Sequence, residues 1–68
     1  MRIRINGETA DVRDGLSVAE LLADRQVKFP DMVTVELNGE ILPRDTFGRT
    51  EVRAEDAVEF LYFMGGGR

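Results

Sequence analysis

The chain has 68 residues, 43% of them hydrophobic and 32% charged, and nine basic against thirteen acidic side chains give a net charge of −4. This composition is typical of one small globular domain, and its acidic balance disfavours a nucleic-acid-binding surface, which must neutralise phosphates. Because cysteine and histidine are both absent, disulfide bonds, the usual zinc sites and Cys-His or Ser-His-Asp catalysis are excluded.

Neither a membrane span nor a secretory signal is evident. No apolar run approaches the roughly 20 residues that a membrane-spanning helix needs. The N-terminal segment MRIRING lacks the continuous apolar stretch of a signal peptide. We therefore expect a cytoplasmic protein with no membrane and no nucleic acid among its partners.

The first predicted element is a β-hairpin. Residues 1–6 alternate isoleucine with arginine, which predicts a strand with one buried face. Asn6-Gly7 is a preferred pair for a tight turn, because both positions tolerate a positive φ. Residues 8–12 then return antiparallel. The side chains predicted to face the core are Ile3, Ile5, Ala10 and Val12.

A helix is predicted in the segment GLSVAELLADR. Ser17 as N-cap and Glu20 three residues later form a capping box. Phe29-Pro30 is expected to end the helix, because a proline disfavours the helical conformation in the residue before it. The apolar stripe of the helix consists of Val18, Leu21 and Leu22.

A second hairpin follows the helix. Residues 32–38 alternate again and predict a strand. Asn38-Gly39 turns the chain into the short run 40–42, which Pro43 stops. The side chains predicted to share the buried face of this strand are Val33, Val35 and Leu37.

The last predicted strand covers residues 58–64, after the polar and irregular stretch 44–53. Glu59 marks the solvent side, so Leu61 and Phe63 are predicted to point away from the core. The side chains predicted to fill the core from these two segments are Phe47, Val52, Val58, Phe60 and Tyr62.

These elements predict an α+β domain over residues 1–64, with a mixed four- to five-stranded sheet and one main helix packed across it. A glycine-rich tail, residues 65–68, follows directly after the last strand.

The order of elements and the terminal glycines resemble the ubiquitin-like β-grasp fold. More narrowly, VELNGEILPRDTF and EDAVEFLYFMGGG resemble the ThiS/MoaD family of sulfur carriers, and within it the ThiS branch. The resemblance covers essentially the whole chain. Its most specific parts are the Leu42-Pro43-Arg44 step, the aromatic Phe47 and the diglycine after the last strand.

This resemblance implies a protein cosubstrate that is not an enzyme and binds no cofactor itself. An E1-like adenylyltransferase would adenylate its C-terminal glycine with ATP and magnesium. A cysteine desulfurase or another sulfur donor would convert this glycine to a thiocarboxylate. Thiazole synthase, or another acceptor enzyme, would then take the sulfur for the thiazole of thiamine. Carriers for molybdopterin, cysteine or methionine synthesis are the alternatives within this class.

By the same resemblance, Gly67 carries the adenylate and then the thiocarboxylate, and Gly65 and Gly66 thread into the partner, where residues without a Cβ fit a narrow channel. Arg68 lies one residue beyond the family pattern, so a processing protease is expected to remove it. The apolar residues before the tail form the predicted partner interface: Leu61, Phe63 and Met64.

Two alternatives remain open at the level of sequence. In the first, one of the predicted interface side chains packs beneath the 44–53 stretch instead of meeting a partner. In the second, the whole chain is a β-grasp interaction module that docks through its sheet, with a terminus that undergoes no chemistry. Deleting the tail separates this second alternative from the carrier, because only the carrier needs the tail.

Overall fold

The computed structural model describes residues 1–62, which form a five-stranded mixed sheet and one helix. The elements are β1 Arg2–Ile5, β2 Glu8–Asp11, α1 Val18–Asp24, β3 Thr34–Leu37, β4 Glu40–Ile41, a 3₁₀ turn Arg44–Thr46, and β5 Ala57–Leu61. The strand order is β2-β1-β5-β3-β4, in which β1 and β5 are parallel and the other neighbours antiparallel. The predicted ubiquitin-like β-grasp is confirmed.

Both hairpins turn at the predicted Asn-Gly pairs. Asn6 and Gly7 have φ of 52° and 85°, and Asn38 and Gly39 have φ of 53° and 87°. Two consecutive positive φ values are the mark of the type I′ turn, whose twist matches that of the flanking strands. The turn chemistry therefore fixes the register of both hairpins.

The core lies between α1 and one face of the sheet. The buried side chains include every residue of the predicted helical stripe and both predicted core residues of the 44–53 stretch. They are Ile3, Val12, Leu16, Val18, Leu21, Leu22, Val33, Val35, Phe47, Val52 and Val58. Among residues 1–62, no buried side-chain polar atom lacks a hydrogen-bond partner.

Helix α1 begins with the predicted capping box. The Ser17 hydroxyl accepts a hydrogen bond from the Glu20 N–H at 3.1 Å, and the Glu20 carboxylate accepts one from the Ser17 N–H at 2.9 Å. The hydrogen bond from the Ser17 backbone, with a smaller effect of its side chain, holds the pKa of Glu20 below its usual value of 4.5.

The predicted end of the helix at Phe29-Pro30 is wrong, because α1 ends at Asp24. Gln26 adopts a left-handed φ of 54°, and the N–H groups of Gln26 and Val27 donate to carbonyls of the last helical turn at 3.1 and 3.0 Å. These two bonds are those of a Schellman motif, which terminates a helix without help from proline. Val27 packs against the core and completes the motif.

The two central strands are shorter than predicted. β3 covers Thr34–Leu37 where residues 32–38 were predicted, and β5 ends at Leu61 within the described chain. Thr34 is the first residue of β3 and pairs with Leu61, so no β3 residue lies opposite Tyr62. The prediction that Tyr62 faces the core is therefore wrong, and its side chain is exposed.

Candidate functional site

The candidate site is the end of β5, where the chain leaves the centre of the sheet. Val58 and Phe60 contact the core, so Glu59 and Leu61 lie on the opposite face of the strand. Because β5 lies between β1 and β3, the chain leaves from a strand that is paired on both sides. The pairs with β1 stop at Val58, and Leu61, at the end of β5, pairs with Thr34 of β3.

The two turn asparagines also bind the backbone of β5. The side-chain oxygen of Asn6 accepts a hydrogen bond from the Phe60 N–H at 2.8 Å, and that of Asn38 accepts one from the Ala57 N–H at 2.9 Å. β1 ends at Ile5, so the Phe60 N–H has no backbone partner in β1, and Asn6 replaces it. These bonds extend the pairing of β5 beyond its neighbouring strands.

Tyr62, the last residue that the structure describes, joins the end of β5 to the α1–β3 connection. Its hydroxyl donates a hydrogen bond to the carbonyl oxygen of Lys28 at 2.5 Å. We call residues 28–33, the second part of this connection, the 28–33 loop. The aromatic ring stays partly exposed while its polar end is held, an arrangement that suits tyrosine.

Arg44 holds the same loop from the other side. Its guanidinium donates to the carbonyl oxygen of Pro30 at 2.6 Å and to that of Val33 at 2.5 Å. The guanidinium carbon also lies 5.4 Å from the centre of the buried Phe47 ring, within the range of a cation–π contact. The Leu-Pro-Arg step of the sequence thus has a structural role, because its arginine fastens the 28–33 loop to the core.

The predicted partner-interface residues are only partly covered by the structure. Leu61 is half-buried and lies on the sheet face opposite α1, next to Thr34. Its role in an interface stays a prediction. The other predicted site residues lie outside the described residues: Phe63, Met64, Gly65, Gly66, Gly67 and Arg68.

The sheet face that carries Leu61 holds charges of both signs, because Arg4 of β1 shares this face with glutamates of β3 and β5. Glu36 of β3 lies directly opposite Glu59 of β5. Like charges at such a position destabilise the pairing.

Within residues 1–62, no group of three or more acidic side chains is placed to hold a metal ion. No helix of this part of the chain is long and apolar enough to cross a membrane.

Sequence reasoning missed the contacts of three polar side chains, two with β5 and one with the 28–33 loop. Asn6 and Asn38 were assigned to turns alone, although both side chains bind the last strand. Arg44 was singled out only as part of the family step. Its position directly after Pro43 is the signal in the sequence, but its contacts with a loop 11 and 14 residues away depend on the fold.

Comparison with known proteins agrees with this architecture. The model of the ThiS family matches residues 3–67. The crystal structure of the thiamine biosynthesis protein ThiS from Geobacter metallireducens is 51% identical, with a TM-score of 0.93 over 98% of this chain and 100% of that chain.

Two thiazole synthases contain a segment similar to this chain. That of Magnetococcus marinus is 32% identical over 68 residues, covering 100% of this chain and 21% of that protein. That of Paramagnetospirillum magneticum is 34% identical over 67 residues, covering 98% of this chain and 20% of that protein. The chain thus spans about a fifth of the length of these relatives. On the family match and the structural likeness, the chain belongs to the ThiS family, which consists of small sulfur carrier proteins rather than catalysts.

Proposed function

We propose that this protein carries sulfur as a thiocarboxylate on Gly67 for the synthesis of the thiazole of thiamine. The observation that carries the proposal is the ThiS family match, which extends through residue 67 and so includes the diglycine. The similarity to a ThiS of thiamine biosynthesis and to thiazole synthases supports thiazole over molybdopterin, cysteine or methionine synthesis as the destination.

The chemistry requires a partner that activates the tail. A carboxylate is a poor electrophile, so its oxygen first attacks the α-phosphorus of ATP and releases pyrophosphate. The acyl adenylate then has AMP as a leaving group, which a sulfur nucleophile displaces. An E1-like adenylyltransferase with ATP and magnesium supplies the first step. A cysteine desulfurase or another donor supplies the sulfur as a persulfide, whose terminal sulfur displaces AMP to form an acyl disulfide. A second thiol then attacks the donor's sulfur in this S–S bond, which releases the thiocarboxylate and leaves a disulfide between the two thiols. Thiazole synthase is the proposed acceptor.

The protein's own contribution is a reactive terminus on a rigid base. Gly65 and Gly66 can enter a channel too narrow for a side chain. Fixing each of them costs about 1–2 kcal/mol of backbone entropy, which contacts of the folded domain must offset. Leu61, Phe63 and Met64 are the proposed source of those contacts, because burying one such side chain contributes roughly 1.5–3 kcal/mol.

Arg68 must be absent when the carrier is activated. It follows Gly67 in the sequence, so Gly67 has a free carboxylate only after the bond to Arg68 is cut. A long charged side chain does not fit a channel shaped for glycine, and the reacting carboxylate would lie one residue too far along. We therefore include removal of Arg68 by a protease in the proposal.

The experiment compares three forms of the protein with the adenylating enzyme of the same host. One form ends at Arg68, one at Gly67 and one at Gly66, and the readout is exchange of pyrophosphate into ATP. Only the form ending at Gly67 should support exchange, because the form ending at Gly66 is too short by roughly 3.3–3.6 Å. Equal exchange with all three forms, or none with the Gly67 form, would refute the proposal.

A further inference from the structure

An exposed apolar surface lies beside the point where the chain leaves the sheet. The N–H of Met32 donates to the carbonyl oxygen of Phe29 at 2.8 Å, and Tyr62 binds the same loop through Lys28. We call Phe29, Met32 and Tyr62 the loop patch. Among residues 1–62, it contains three of the four large hydrophobic side chains that are exposed: Phe29 (68%), Met32 (65%), Ile41 (62%) and Tyr62 (42%).

The backbone that carries the patch is fixed by hydrogen bonds. Arg44 binds two carbonyls of the 28–33 loop and rests over the buried ring of Phe47, while Tyr62 binds the start of the loop. Three side-chain hydrogen bonds therefore fix a segment of six residues to the core and to β5. A surface that is already ordered loses less entropy when a partner binds it.

Phe29 is kept in a conformation that its own residue type disfavours. Its φ is 53°, in the left-handed region where a bulky side chain is a genuine outlier. Burial does not compensate, because the ring is exposed and does not belong to the core cluster. An exposed aromatic residue that the surrounding contacts hold in a strained backbone indicates a functional constraint.

An enzyme that binds the end of the tail must also come close to this patch. Gly67 follows Tyr62 by five residues, so even a fully extended chain puts its carboxylate within roughly 18 Å of Tyr62. An enzyme with this carboxylate in its active site must therefore have surface near Tyr62. Tyr62 binds Lys28, the residue before Phe29, so the loop patch lies close to the base of the tail.

We propose, on the basis of the proposed sulfur-carrier function, that the loop patch is a second recognition element for thiazole synthase. The enzyme receives Phe29 and Met32 in an apolar depression beside the entrance for the tail. Two thiazole synthases contain a segment similar to this chain, so a domain of this kind occurs together with the synthase in one protein. Phe29 and Met32 are both uncharged and exposed, which suits binding in an apolar depression.

The test measures the affinity of the form ending at Gly67 for purified thiazole synthase by calorimetry. Phe29→Asn removes the ring and keeps a residue that tolerates the left-handed backbone, and Met32→Gln removes the second anchor. Ile41→Gln is the matched control, because Ile41 is equally exposed but lies on β4. We expect each loop variant to bind about 10- to 100-fold more weakly, and the control to bind as the wild type does.

Stability and activation are measured on the same variants. Phe29→Asn should unfold at the wild-type temperature or above it, and all variants should still be converted to the thiocarboxylate. Wild-type affinity in both loop variants would overturn the inference while leaving the carrier function intact. Weaker adenylation with unchanged binding to thiazole synthase would also overturn it, by assigning the patch to the adenylating enzyme. A wild type that forms the thiocarboxylate but does not bind thiazole synthase would refute the proposed acceptor itself.

Discussion

Replacing Arg44 by alanine tests the role of the guanidinium in holding the 28–33 loop. The change removes two hydrogen bonds to carbonyl oxygens, at 2.6 and 2.5 Å, and the contact with the Phe47 ring. Hydrogen bonds to a charged group contribute about 1.5–3 kcal/mol each, and an exposed cation–π contact contributes about 0.5–1 kcal/mol. Because the Arg44 side chain is exposed, water replaces part of these contacts, and we expect a total loss of about 2 kcal/mol.

This loss is large for so small a domain. At about 0.05–0.15 kcal/mol per residue, the whole free energy of unfolding is on the order of 3–10 kcal/mol. A loss of about 2 kcal/mol should lower the midpoint of thermal unfolding by roughly 8–16 °C. Urea unfolding followed by circular dichroism measures the free energy, and thermal scans measure the midpoint.

Two further variants make this result specific. Arg44→Lys keeps the charge but lacks the planar fork that reaches two carbonyls, so it should fall between the wild type and Arg44→Ala. Arg49→Ala is the matched control, because Arg49 makes one hydrogen bond of 3.3 Å to the Asp45 carbonyl. It should change stability by less than about 0.5 kcal/mol. If the Arg44→Ala protein were as stable as the Arg49→Ala protein, the role of the Arg44 guanidinium in holding the 28–33 loop would be refuted.

Three other substitutions test the remaining structural claims. Ser17→Ala should cost about 1 kcal/mol in urea unfolding, and an unchanged midpoint would contradict the capping role. Because the folded-state pKa of Glu20 is lowered, the ionised carboxylate stabilises the fold. The free energy of unfolding of the wild type should exceed that of Glu20→Gln by its full amount above the usual pKa of 4.5, and this difference should disappear as pH falls through the lowered pKa. A difference that does not change with pH would contradict this role of the carboxylate. Leu21→Ala, in the core, should lower the free energy of unfolding by about 2–5 kcal/mol and leave the domain close to unfolding. A cooperative thermal transition near the wild-type midpoint would contradict this.

The parts of the fold that depend on neighbouring residues were predictable from sequence. The Asn-Gly turns and the capping box each need only a few adjacent residues, and each lies where predicted. The end of α1 was missed because Gln26 gives no glycine signal at the left-handed position. The exposure of Tyr62 was missed because it depends on where β3 begins, a property of another segment.

In the candidate site, too, short motifs were predictable from sequence, whereas contacts between distant residues were not. The ThiS resemblance identified the diglycine and the Leu-Pro-Arg step from short motifs. The hydrogen bonds of Arg44 to the 28–33 loop, and that of Tyr62 to Lys28, join residues that are 11 to 34 positions apart in the sequence. Such contacts follow from the tertiary fold, which brings the 28–33 loop to the end of β5.

The central claim is that Gly67 carries sulfur. The measurement that tests it most directly is intact-mass spectrometry of the protein from its native host, grown without thiamine and untagged at the C-terminus. The account predicts a species that ends at Gly67, part of it with one terminal oxygen replaced by sulfur. If every molecule instead retained Arg68 after Gly67 under these conditions, the claim would be contradicted.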